Sequence, residues 1–177
     1  MKRELAIHLF SFFIFFLVLS FLRGWFTLPY AVFWIGGLIG TILPDLDHLL
    51  YALYLRPYEL TSQRTKSLLA RGQIASTLSL LATTRRERKN LIFHTAWFQI
   101  LFLVLTFWTL SSSGSLVGRG LVIAFSLHLI IDQIVDMMEI NTLENWFWSI
   151  PVNLKKEHHV FYLIGGGIIL LILAIFL

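Results

Sequence analysis

The stretch GTILPDLDHLLY, residues 40–51, places two aspartates, a histidine and a proline inside one of the most hydrophobic parts of the chain. AVFWIGGLI precedes it and ALYL follows it, so the whole reads as one apolar helix interrupted by charge. A carboxylate at the middle of a membrane-spanning helix costs about 2.5–3.5 kcal/mol even on insertion scales, so such residues need compensation and mark a functional site. Whether this segment crosses a membrane therefore decides both the fold and the meaning of its polar residues.

Composition answers the first question. The 177 residues are 57% hydrophobic and 15% aromatic with only 14% charged, and the mean hydropathy is +0.77, outside the range of a soluble domain. Five apolar segments approach the length needed to cross a bilayer, roughly residues 5–22, 31–55, 91–110, 116–138 and 160–177. The first opens with Lys2 and Arg3 like a signal peptide, but LVLSFLRGW offers no small-x-small cleavage site, so it reads as a retained anchor. No internal repeat or low-complexity linker divides the chain. The expectation is an all-α, polytopic membrane helical bundle forming one domain over residues 1–177, with about five transmembrane helices and an interfacial amphipathic helix in the basic loop 56–90. Cysteine is absent, so any metal must be held by His, Asp or Glu.

The formal charge of +4 follows topology rather than nucleic-acid binding. With the amino terminus inside, Lys2, Arg3, the eight basic residues from Arg56 to Lys89, and Lys155 with Lys156 fall on the inner side, while Arg23 and Arg119 remain outside. Twelve against two predicts a cytoplasmic amino terminus and a multi-pass protein. Within the loop, Leu68, Leu69, Ile74, Leu78 and Leu81 form an imperfect helical stripe among cations, suited to a surface of anionic headgroups. A solvated basic loop with no role in chemistry is the plainer reading.

All four aspartates, Asp45, Asp47, Asp132 and Asp136, lie in expected spans. The histidines follow: His8 one turn into the first span, His48 in the second, His94 opening the third, His128 in the fourth. The predicted topology puts His8 and His94 near the inner ends of their helices and the four aspartates and His48 in the inner halves of theirs, with His128 the deepest of the set. At about 100° per residue, His128 and Asp132 share a helix face and Asp136 continues it. Asp47 falls about 160° from Asp45 on a regular helix, but Pro44 removes a backbone donor, and a kink there would let both carboxylates face inward. Otherwise Asp47 sits behind the ligands or against another helix. Gly36 and Gly40 would admit a neighbouring helix closely, and Gly165 to Gly167 offer a docking partner.

Singly, each residue has a structural explanation: a histidine bonding at the membrane interface, an aspartate paired with arginine or backbone. Together they favour a divalent metal, which offsets several carboxylates at once and accepts neutral imidazole. Mixed His and Asp donors suit zinc, manganese or ferrous iron.

LPDLDH in the second span, FHT opening the next and LHLIID further on resemble the signature of bacterial inner-membrane metal-dependent hydrolases of the YdjM type. That family carries, in order, an amino-terminal His, a Pro-Asp-x-Asp-His segment, a Thr-His-Ser segment and a His-x-x-x-Asp segment. The resemblance covers roughly residues 1–136 and implies a metal site of His8, Asp45, Asp47, His48, His94, His128 and Asp132. The family often has a His-Arg pair before Thr-His-Ser. Here RRERKNLIFHTA puts Lys89 where that histidine would fall, and Arg86, Arg88 or Lys89 would supply charge instead. The tail KKEHHVFYLIGGG lies beyond the resemblance, with His158 and His159 read as exposed bystanders or extra ligands.

The resulting expectation is an inner-membrane hydrolase with a divalent ion, zinc or manganese, acting on an ester such as a phosphoester of a lipid or membrane-proximal substrate, at the cytoplasmic face. Asp47 or Asp136 would serve as the catalytic base, and membrane lipids rather than nucleic acid would be its partners. The alternatives are an intramembrane metal-ion or proton transporter, and a catalytically silent scaffold with a structural metal.

Overall fold

The apolar runs fold as helices, and proline, glycine and capping hydroxyls set where they stop. The computed structural model describes residues 2–151 and 154–177, with side chains from Glu4 onward; those of Lys2 and Arg3, counted above toward the inner side, lie outside the described residues. Helix α1 is Lys2–Arg23 and α2 is Ala31–Ile42; a 3-10 turn at Leu43–Asp45 leads into the short α3, Leu46–Leu50, and a π-turn at Tyr51–Leu55. Helices α4 (Leu60–Ala70) and α5 (Ile74–Thr83) form the basic loop, and α6 (Ala96–Ser112), α7 (Leu116–Glu139) and α8 (Lys156–Ala174) complete the bundle. No strand occurs among the described residues.

Four stretches are long and apolar enough to cross a membrane: Glu4–Arg23, Leu28–Leu55, Leu116–Glu139 and Lys156–Ala174. The expected span at 91–110 is shorter, because α6 begins only at Ala96 and holds 17 residues. Thr95 caps it, its hydroxyl accepting from the Phe98 N–H at 3.2 Å, and residues 91–94 run ahead of the helix as irregular chain. The single interfacial helix expected in the basic loop is two helices. Gly72, at φ +68°, sits in the turn between α4 and α5 in a conformation that favours glycine.

Helix α7 is the axis. Buried residues make up 61% of its most apolar window, against 33% or less for the other three candidate spans, and α1, α2, α6 and α8 all pack on it. The closest pairing is with α2. A Cβ at Gly36 or Gly40 would strike the Val117 or Leu121 carbonyl, and one at Gly120 would strike that of Phe33. The glycine pair of α2 thus docks on α7 rather than on the Gly165 to Gly167 run of α8, where Gly165 and Gly167 face open space.

Polar residues tie the remaining helices. The Thr106 and Ser126 hydroxyls lie 3.1 Å apart between α6 and α7, and the Gln133 amide donates to Gln99 Oε1 at 2.6 Å, where the Tyr162 hydroxyl of α8 also donates. At the end of the bundle away from the basic loop, Arg23 donates to the Ile175 carbonyl at 2.5 Å and Arg119 to that of Leu177 at 3.1 Å. Both cations there are spent on the end of α8, whose last carbonyls lack intrahelical donors.

Candidate metal centre

Asp132 is the hub of the polar cluster. Its carboxylate, 1% exposed, has His8 Nε2 at 3.1 Å and Arg85 Nη2 at 2.8 Å from Oδ1, and His94 Nε2 at 2.8 Å and His128 Nε2 at 3.3 Å from Oδ2. The contacts to Oδ1 are close in distance but lack hydrogen-bond direction, so that oxygen keeps a lone pair without a donor. His8 and His128 stack at 4.0 Å between centroids with their planes 6° apart. The spacing of His128 and Asp132 does bring both to one point, as an i, i+4 pair on one helix face requires.

Hydrogen bonds decide which nitrogen of each ring is free. His128 Nδ1 lies 2.7 Å from the Thr41 carbonyl and must donate to it, because a carbonyl only accepts. That carbonyl is left for the imidazole partly by Pro44, which has no N–H to close a 3-10 bond onto it. The neutral ring therefore carries its lone pair on Nε2, which is buried and makes no hydrogen bond. His8 Nδ1 is likewise buried without a partner. One donor atom each from His8, His128 and Asp132 lie within 4.8 Å of one another, all three residues buried, and this group can hold a metal ion.

No protein-family profile, curated protein or solved structure matches this chain.

The remaining residues of the expected set take different positions. Asp47 is fully buried behind His94: its carboxylate accepts from the backbone N–H groups of Ile92 at 3.1 Å, Phe93 at 2.5 Å and His94 at 3.3 Å, and faces His94 Nδ1 at 3.2 Å. With its oxygens so occupied it orients His94 and pins the irregular 91–94 segment; it is not placed to move a substrate proton. Asp45 is about half exposed, with Oδ1 3.7 Å from His128 Nε2 at the edge of the cluster. The 3-10 turn at Pro44 thus sends Asp47 inward and leaves Asp45 at the rim. His48 packs near His94, their centroids 5.3 Å apart, but its Nδ1 accepts from Arg88 Nε at 3.0 Å. Asp136 accepts from the Trp146 indole N–H at 2.8 Å and lies 3.7 Å from Arg85.

A cavity of about 310 Å³ opens beside the hub, its wall including His48, Arg85, Arg88, His94, Asp136 and Trp146. Arg85 bridges cluster and cavity. Burial alone would lower its pKa, but Asp132 and Asp136 outweigh burial and hold the guanidinium above its ordinary range. Burial pushes Arg88 down to about 10, which leaves it charged at neutral pH. Arg85, Thr41 and Trp146 were not picked out from sequence. RRER gives no periodicity to single out one arginine, a backbone carbonyl has no sequence signature, and Trp146 lies in a turn after α7.

His158 and His159 stand apart from this group. His158 Nδ1 accepts from the Lys155 N–H at 3.1 Å at the start of α8, and His159, 2% exposed, accepts from the Leu143 N–H at 3.2 Å. Both engage local backbone, and His159 is buried rather than exposed.

Proposed function

We propose that this chain is an integral membrane metal-dependent hydrolase that cleaves an ester, a phosphoester of a lipid or membrane-proximal substrate, at the cytoplasmic face of the inner membrane. The observation that carries this reading is the buried, hydrogen-bond-free Nε2 of His128, its tautomer set by the Thr41 carbonyl, beside an undirected Asp132 oxygen and His8. Arg85 already meets the carboxylate, and the unpartnered lone pair of His128 beside it suits a second cation. The resemblance of the motif order to that of YdjM-type hydrolases supports the same reading, and twelve basic residues against two support its orientation.

Zinc or manganese, by donor type, would supply Lewis acidity and lower the pKa of a bound water. The chain's own residues divide the remaining tasks. Asp47 sets His94, Arg85 and Lys89 present charge to an anionic group in the cavity, and Asp136, on the cavity wall, accepts a proton. Transport fits less well: among the described residues the only cations at the far end, Arg23 and Arg119, are bound to carbonyls of the α8 terminus.

Metal analysis of the purified protein tests the reading. About one or more equivalents of zinc or manganese, lost in His128→Ala, is the expected result, with hydrolysis in a panel of phosphoesters abolished by the same change. Absence of metal from the intact protein would sink the proposal. Metal without hydrolysis of any ester would leave a structural site.

A further inference from the structure

Two histidines in the cluster have opposite hydrogen-bond partners. The Nδ1 of His128 faces a carbonyl, which only accepts, whereas the Nδ1 of His48 faces a guanidinium, which only donates. Arg88 is itself 4% exposed, with a partner at each nitrogen: Nε to His48, Nη1 to the Thr84 hydroxyl at 3.0 Å, Nη2 to the Leu81 carbonyl. A hydrogen on His48 Nδ1 would point at the Arg88 N–H, so the ring hydrogen has to sit on Nε2. Ligation needs a lone pair, and His48 has its only one committed to Arg88.

What Nε2–H can do follows from where it lies. His48 lines the cavity, its Nε2 has no acceptor among the described residues, and that atom is not fully buried, as the unpartnered nitrogens of His8 and His128 are. Lys89 lines the same space. Of the four carboxylates that share it, Asp136 lies by Arg85 and Glu139 is bound by Arg86 at 2.5 Å, and Glu4 and Glu144 stand against the charge of Arg85, Arg86, Arg88 and Lys89. An N–H donor and a lysine are left to meet an incoming group, and an anionic oxygen suits both.

We propose that His48 stands outside the metal's coordination and is an uncharged donor, locked by Arg88 with its Nε2 hydrogen toward the cavity, that binds a phosphoryl oxygen of the substrate. This departs from the ligand set implied by the YdjM resemblance, and its first half rests on the metal reading of His8, His128 and Asp132. Arg88 is then a positioning residue, acting only through His48.

Three measurements on the full chain in nanodiscs test it. Nitrogen NMR of the metal-free protein should show His48 with a protonated Nε2 and an unprotonated Nδ1, and Arg88→Leu should mix the tautomers. In zinc titrations His48→Gln, whose amide both accepts from Arg88 and donates to the cavity, should stay within about threefold of the parent, whereas His128→Gln loses about 100-fold. Inorganic phosphate, with and without zinc, should bind about tenfold more weakly to His48→Leu and recover with His48→Gln. Should His48→Leu not fold, the spectrum and the glutamine variant still decide. A protonated Nδ1 in the parent, or zinc loss in His48→Gln equal to that in His128→Gln, overturns the assignment. A parent that takes up no zinc defeats the hydrolase reading alone, and the spectrum and metal-free phosphate binding then judge the donor.

Discussion

Asp132 gathers three imidazoles and a guanidinium around one carboxylate, and the guanidinium stands where a metal would bring competing charge. Arg85→Met should therefore raise zinc affinity, by about tenfold if removing the cation relieves about 1.4 kcal/mol of repulsion, while weakening phosphate binding; parallel titrations of both ligands check the opposite signs. Asp47→Asn places an NH₂ against three backbone donors and loosens His94, and a fall in zinc affinity of 10- to 100-fold, measured by chelator competition, is the expected outcome of weakening such an orienting carboxylate. His8, His94, His128 and Asp132 were legible in sequence because membrane depth is one-dimensional: counting along each span aligns them. Roles were less legible. Whether Asp47 faces a metal or His94, and whether His48 gives or takes a hydrogen, depends on partners 40 or more positions away in sequence.

Between elements, the controlling fact is the close approach of α2 to α7. It lets Thr41 reach His128, so the site depends on a glycine contact that carries no chemistry. Gly40→Leu must push the helices apart, and both thermal stability and zinc binding should fall together, the first by about 1–3 kcal/mol or more. Gly165→Ala, in open space on α8, serves as the matched control and should leave both unchanged within about 0.5 kcal/mol. The glycines announced close packing, but not which helix would come near, because a small residue records only the absence of its own side chain. The late start of α6 was hidden for a related reason: LIF before His94 is as apolar as a helix interior, and what keeps it out of the helix is a carboxylate from α3 bonded to its backbone.

Across the whole molecule, polarity is sorted by end. The His and Asp cluster, the cavity and the basic loop that carries α4 and α5 share one end, and Arg23 and Arg119 close the other on α8. Replacing both arginines with glutamine should lower the unfolding midpoint while leaving zinc affinity within about twofold, since additivity holds for sites far apart. Helix α6 adds a constraint of another kind. Its 17 residues reach about 25 Å, against about 30 Å of hydrocarbon, and the chain before it is irregular. If α6 crosses a bilayer, a mismatch of about 5 Å is met by thinning, by snorkelling of flanking residues, by oligomerisation or by headgroups reaching the level of residues 91–95. His94 lies in that segment, so under the proposed function the mismatch would bring lipid phosphates toward the cluster, and the membrane itself would become a means of delivering substrate.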